Sequence, residues 1–346
     1  MAMPESRIWS GGKMDDRARG PRWRKNKLRI VDLFCGCGGL SLGFSLAGFE
    51  IVCAFEKWDP ALKTYQKNFS HPVEKFDLIN KKEAIKKISN LFPDIIIGGP
   101  PCQDFSHAGK RTEGSRADLT VAFAEIVESI RPSLFLMENV DRAKASKSFA
   151  IAREIFKKSG YGLTEMVLDA SLCGVPQKRK RFFCVGKMDE SDGFLSSYIQ
   201  KHLSKTPLTI AEYMGHELEV KYYYRHPRNY NRRAVFSINE PSPTIRGVNR
   251  PVPSGYPGHP NDPMPVHGLR SLTTMERARI QTFPKNFQWV GSKTDIEQMI
   301  GNAVPVQMAR LVAISMDKYL RITQKGEAGA LLSLPGRNVE VSRTIG

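Results

Sequence analysis

Leu28-Arg29-Ile30-Val31-Asp32-Leu33-Phe34-Cys35-Gly36-Cys37-Gly38-Gly39 is the stretch on which the reading of the whole chain turns. Its first seven residues form a short apolar run of the kind that makes a buried strand, and the glycine-rich CGCGGLSLGFSLAG then opens a helix. Glycines at a strand-to-helix turn let the backbone come close to a ligand. The spacing is not GxGxxG, so no dinucleotide phosphate is implied. Ile51 to Phe55 make a second strand that ends on Glu56. A carboxylate about 20 residues beyond such a turn is placed to accept both hydroxyls of a ribose. A structural turn with a surface glutamate would read the same at this point.

The same alternation continues outward. PDIIIGG is a third strand running into the loop PPCQDFS; LTVAFAEIVESI has apolar residues at helical spacing; LFLMENV and RFFCVGK are further strands. Strands alternating with helices predict an α/β fold with a parallel sheet covered on both faces. The pattern lapses after Lys187, where residues 188–265 are rich in Pro, Gly, Tyr, Arg and His. Helical spacing returns in LTTMERARIQTF and in IGNAVPVQMARLVAISMDKYL. The chain therefore divides into a basic, disordered arm (1–27), a catalytic domain in two parts (28–187 and 266–323), an inserted smaller lobe (188–265) and a loose tail (324–346). No stretch reaches the roughly 18 apolar residues of a membrane span, and the N-terminus lacks a signal-peptide core.

Composition points to the partner. With 52 Lys and Arg against 35 Asp and Glu, the formal net charge is +17, and nucleic acid is the default ligand of so basic a chain. A solvated basic surface is the alternative. The six cysteines contain no CxxC pair and no zinc-ligand spacing, so they read as reduced thiols in a cytoplasmic protein, with no metal.

Three further clusters carry chemistry. In Gly98-Gly99-Pro100-Pro101-Cys102-Gln103-Asp104-Phe105-Ser106, two prolines stiffen a loop at a strand's carboxyl end and hold Cys102 forward, where catalysts sit in open parallel sheets. An inert buried thiol is the other reading. Glu138 in Glu138-Asn139-Val140 ends a buried strand, as a structural cap or as an acid over a substrate. Gln177-Lys178-Arg179-Lys180-Arg181 is a charge run or localisation signal by composition, but it leads into a strand. Alternate residues then face inward, which suits Arg179 and Arg181 as oxyanion or phosphate ligands.

In order and spacing, these clusters resemble the DNA cytosine-5 methyltransferase family over about residues 28–186 and 266–322. Arg270-Ser271-Leu272-Thr273, Glu276, Arg279-Ile280-Gln281-Thr282-Phe283-Pro284 and Gly301-Asn302-Ala303-Val304-Pro305 agree with it as well. The resemblance implies a Rossmann-like sheet holding S-adenosylmethionine at its carboxyl edge. Phe34, Gly36, Gly38, Gly39 and Leu40 would line the cofactor's amino-acid end and ribose, with Pro100 beside them. Glu56 would take the ribose hydroxyls, Asp77 and Leu78 would read the adenine, and Asn302 and Val304 would close the pocket. The family often has an apolar or aromatic residue after the ribose glutamate; here it is Lys57, so the Lys57 stem or Trp58 must pack on the adenine.

The implied reaction explains the residue types. Carbon 5 of cytosine is a poor nucleophile until a thiolate adds to carbon 6, the part expected of Cys102. Glu138, with its pKa raised, would donate at N3. Arg181, with Arg179, would hold O2. A base that the sequence does not identify, and that water could supply, then removes the C5 proton and Cys102 leaves. A cytosine stacked in duplex DNA cannot be reached, so it must be flipped out. The inserted lobe offers the compensating contacts in Arg225, Arg228, Arg232, Arg233 and Arg246, interleaved with Tyr and Asn. Gln177 and Ser106 are further candidates for contacting DNA, as is Thr244, whose pair with Ile245 resembles the short Thr-aliphatic element late in this family's recognition region. A monomer acting on double-stranded DNA, in a restriction–modification or solitary system, is the expectation. An RNA cytosine-5 methyltransferase of the same fold and a non-enzymatic DNA-binding relative are the alternatives.

Overall fold

The computed structural model describes residues 28–101 and 119–332, with side chains to Thr323. The expectations placed on the 1–27 arm, on Cys102 and Ser106, and on the chain after Leu332 lie outside the described residues.

The first half alternates strands and helices as the apolar runs predict. It runs β1 (Arg29–Leu33), α1 (Gly39–Leu46), β2 (Glu50–Glu56), α2 (Asp59–Asn68), β3 (Val73–Lys75), α3 (Lys81–Ser89), β4 (Ile95–Gly98), α4 (Leu119–Ile130), β5 (Leu134–Val140), α5 (Lys147–Lys158), β6 (Tyr161–Asp169), β7 (Gln177–Lys178) and β8 (Lys180–Met188). Seven of these strands form one sheet in the order β3-β2-β1-β4-β5-β8-β6. Ile30 pairs with Ile51 on one side and Ile95 on the other, and Ile95 with Leu134, all in parallel. One strand departs from the all-parallel expectation: β8 runs antiparallel to both β5 and β6.

Strand residues alternate between two cores. Ile30, Ile95, Ile97, Leu134, Leu136 and Val185 face one side, while Val31, Leu33, Ile96, Phe135, Met137 and Cys184 face the other. Each such residue, fully buried, contributes about 1.5–3 kcal/mol relative to exposure. The second face is covered by α3, α4 and α5 through Ile88, Phe123 and Phe156. The first is covered by α1, by α6 (Ser196–Gln200) and by the final helix.

The inserted lobe begins later than residue 188. Leu195, just ahead of α6, and Ile199 within it are buried in the main core, so the chain leaves the sheet only beyond Leu203. There follow α7 (Ile210–Met214), the antiparallel pair β9 (Tyr222–Tyr224) and β10 (Val235–Ser237), and β11 (Ser242–Pro243), which pairs in parallel with β7. The return segment holds α8 (Thr274–Ile280), α9 (Lys293–Asn302) and α10 (Val306–Leu332). Thr273 with Glu276 and Ser292 with Asp295 make reciprocal capping boxes that start α8 and α9. The lobe's core, with Ile210, Tyr223, Phe236 and Ile245, is continuous with Phe283 of the return segment, Tyr65 of α2 and Phe69 just after it, so it is fused to the sheet domain.

Two expectations change in the return segment. The predicted tail from 324 is helical as far as Leu332. The helical stretch Lys293–Thr323 is also long and apolar enough to cross a membrane, contrary to the reading of the sequence, but 72% of its apolar window is buried inside the protein, as in a core helix.

Candidate active site

A cavity of about 460 Å³ opens at the carboxyl ends of β1, β2, β4 and β5, the edge at which open parallel sheets bind ligands. The turn after β1 shapes its floor. Phe34 and Gly36 take left-handed backbone angles (φ 58° and 56°), turning the chain sharply before α1. A Cβ on Gly39 would lie 2.3 Å from the Val304 carbonyl oxygen, so only glycine lets the returning segment close directly onto this turn.

Glu56 ties the floor together. Its Oε2 accepts from Gly36 N at 2.8 Å, and its Oε1 from Lys57 N at 2.9 Å and Trp58 N at 2.8 Å. A carboxylate has about four lone-pair sites, so acceptor capacity is left for a ligand hydroxyl. Phe34, Gly36, Leu40, Asp77, Leu78, Pro100, Asn302 and Val304 line the cavity as expected from the resemblance, with Lys57 and Trp58 at its rim. Lys57 Nζ stands 3.5 Å from Asp77 Oδ2, leaving the flat apolar surfaces there to Trp58 and Phe76. Phe76, which meets Phe55 edge-on at 6.3 Å between ring centroids, was not anticipated. An aromatic residue just ahead of Asp77 was its only signal. Gly38 is a correction: it caps α1 at φ 95° and packs on Phe69 and Tyr65, away from the cavity.

Asp32 also lines the cavity and carried no expectation beyond its place in the turn. Burial pushes its carboxyl up to about 7, with Glu56 adding and Ser41 opposing. Ser41 Oγ donates to Asp32 Oδ2 at 2.5 Å and accepts from Tyr65 OH at 2.7 Å, and that hydroxyl lies 2.7 Å from His71 Nε2.

The opposite wall holds Glu138 and Arg181. The antiparallel register sets Glu138 opposite Phe183 and Val140 opposite Arg181, making Glu138 and Arg181 diagonal neighbours on one face. Arg181 Nε lies 2.9 Å from Glu138 Oε1. Burial raises the Glu138 pKa against the opposing charges of Arg181 and then Arg179. The same burial lowers Arg181, with Glu138 opposing. Asn139 Nδ2 donates to the Pro100 carbonyl at 3.0 Å, so the strand that carries Glu138 also fixes the loop leading to Cys102.

The C-5 cytosine-specific DNA methylase family model matches residues 28–318. This chain belongs to that family. It is a DNA cytosine-5-methyltransferase, and its family and fold imply use of S-adenosylmethionine. It is 57% identical over 295 residues to the type II methyltransferase M.HindV of Haemophilus influenzae, covering 84% of this chain and 97% of the relative. It is 54% identical to the type II methyltransferase M.HgiDI of Herpetosiphon aurantiacus, covering 85% and 95%. Among solved structures, a Dnmt2 methyltransferase of S. pombe superposes with a TM-score of 0.64 at 18% identity, covering 86% of this chain and 99% of that one. A putative DNA modification methyltransferase of an E. coli prophage gives 0.61 at 23%, covering 85% and 100%. At those identities the structures speak for the fold alone.

Other residues of the methylase depart from expectation. Arg179 does not line the cavity; it is buried and donates to the carbonyls of Ile245, Gly301 and Ala303 at 3.0, 2.9 and 3.2 Å. Gln177 is fully buried as well, its Nε2 on Gln281 Oε1 at 2.8 Å, so it presents nothing to a DNA groove. Of the inserted arginines, Arg228 and Arg232 are exposed. Arg225 donates to Thr244 O at 2.7 Å, Arg246 to His226 O, and Arg233 pairs with Glu240. Thr244 donates to Lys178 O at 2.8 Å. Their side chains hold the lobe together, and the positive field they create remains.

Proposed function

We propose that this methyltransferase acts on double-stranded DNA, flips its target cytosine into the strand-end cavity and attacks carbon 6 with Cys102. The observation that carries the reading is the pairing of buried Glu138 with half-buried Arg181 on the cavity wall opposite Glu56. The cofactor fits the other half: the volume is of the size that small ligands occupy, and the Glu56 carboxylate keeps acceptor capacity beside the Trp58 and Phe76 rings. Glu56 would hold the ribose, Phe34, Gly36 and Leu40 the amino-acid end, and Asp77 with Leu78 the adenine. When bound, S-adenosylmethionine supplies the methyl group as an electrophile.

The protein's own groups do the rest. Glu138, its pKa raised by burial against the opposing charge of Arg181, donates at N3 as the thiolate of Cys102 adds to carbon 6. Arg181, next to it, holds O2 and orients the ring. After carbon 5 takes the methyl group, a base, which water could supply, removes the C5 proton, the C6–S bond breaks to release Cys102 as thiolate, and the N3 proton returns to Glu138. The lobe from about 204 to 265 recognises the sequence, Arg228 and Arg232 reaching the duplex. The names of its relatives, type II methyltransferases, support a place in a type II restriction–modification system; we further propose that the enzyme acts as a monomer, in the cytoplasm beside the DNA.

Methylated-site sequencing of DNA from a host expressing the chain identifies the target. Duplex DNA with 5-fluorocytosine at that site should then trap a covalent complex, because fluorine cannot be eliminated. Cys102→Ala should form no adduct, and a stable adduct in that variant would place the nucleophile elsewhere.

A further inference from the structure

Beside the apolar core that the inserted lobe shares with the return segment runs a set of buried polar groups, and Arg179 stands at its centre. One nitrogen of its guanidinium donates to Ile245 O, in the lobe. Another donates to Gly301 O and Ala303 O, which flank Asn302. Asn302 and Val304 line the cofactor cavity. One planar, fixed fork therefore holds both walls.

Parallel connections run beside it. Gln177 Oε1 accepts from Ile245 N at 2.9 Å, while its Nε2 donates to Gln281. Gln281 Nε2 donates in turn to Ile300 O at 2.5 Å and Ala303 O at 3.2 Å. Arg277, paired with the buried Glu297, donates to Arg246 O. Between these bonds the two backbones touch: a Cβ on Gly301 would lie 2.1 Å from Gly247 N. A close-packed joint of this kind transmits a displacement and does not absorb it, and each buried carbonyl loses its partner if one wall moves alone.

We infer that Arg179 is a positioning residue that makes the seating of DNA on the inserted lobe, whose Ile245 carbonyl it holds, and of cofactor against Asn302 and Val304 one event, so that each ligand tightens the other. This rests on the reading of the inserted lobe as the DNA-recognition region. Loss of the fork frees the two walls to settle separately.

The test measures binding and does not need turnover. Affinity for S-adenosylhomocysteine is measured by calorimetry with and without the target duplex, and affinity for the duplex with and without S-adenosylhomocysteine. In the wild type each ligand should tighten the other by about tenfold, and by the same factor in both directions. Arg179→Met, which keeps the stem and removes the donors, should bring that factor below about twofold. A merely structural role would lower the melting temperature and weaken both ligands, leaving the ratio intact; that result overturns the proposal. If Arg179→Met does not fold, Gln281→Met is read in its place, with the same loss expected. A wild type that binds both ligands independently also overturns the proposal, whereas one that binds no duplex at all overturns the functional reading beneath it.

Discussion

The cavity and the inserted lobe use buried charge in opposite directions. Around the cavity, carboxylates are drawn inside and left with capacity for a visitor: Glu56 on three backbone N–H groups, Glu138 on one arginine, Asp32 on one serine. In the lobe, arginines turn inward onto backbone carbonyls, Arg225 onto Thr244 and Arg246 onto His226. The contrast is sharpest between neighbours in sequence. Arg181 meets a carboxylate on the cavity wall, while Arg179 meets three carbonyls in the joint. A charged residue's type says little about its task; the groups that the tertiary fold places around it decide.

Substitutions on either side can break this contrast. Glu138→Gln keeps the shape and removes the transferable proton. Turnover should fall by about 10²- to 10⁴-fold, with S-adenosylhomocysteine affinity almost unchanged in calorimetry; near-normal turnover would make Glu138 a structural cap.

Asp32 tests the same side through stability. Its folded pKa is raised from 3.8 to about 7, so the stability it contributes is complete below the lower value and is lost as pH rises through the upper one. Between those values the wild type should lose about 1.4 kcal/mol per pH unit from this group. Asp32→Asn should be flatter by that amount in urea unfolding at about pH 5, 6 and 7. Identical slopes would mean that Asp32 is ionised in the folded protein.

The lobe offers the smaller effects. Arg225→Met leaves the Thr244 carbonyl without its donor and should cost about 1–3 kcal/mol of stability. Arg228→Ala should change stability by less than about 0.5 kcal/mol. It should instead make the salt dependence of duplex binding shallower by about 0.9 in slope, as for one lost phosphate contact. If the two variants exchange these behaviours, the division between inward and outward arginines is wrong.

Much of this was legible in local patterns. The apolar runs located β1, β2, β4, β5 and β8 because strands buried on both faces are continuously apolar. The glycine turn and Glu56 were legible because both sit at strand ends. Strand direction was not, since nothing local in RFFCVGK tells parallel from antiparallel. Direction matters here: a parallel β8 would begin at the far edge of the sheet, carrying Arg181 away from Glu138. The stretch from Ile300 to Leu320 reads as one helix, yet it breaks at Ala303, where Pro305 lacks the amide that a continuing helix needs. That break places Asn302 and Val304 on the cavity. That Arg179 faces inward was legible in the strand alternation, but its task was not, because its three partners lie far along the chain.

The packing of α10 on α1 also bears on how the protein is made. Phe44 in the first helix shares one buried core with Val312 and Met316 of α10, made far later in the chain. At ribosomal speeds the interval between their synthesis is on the order of tens of seconds. Throughout it the nascent sheet has one apolar face only partly covered, by α1 and later α6, and the wall formed by Asn302 and Val304 does not yet exist. Cofactor capture thus awaits nearly the whole chain, and a polypeptide cut short before α10 would offer chaperones and proteases an open sheet in place of an enzyme.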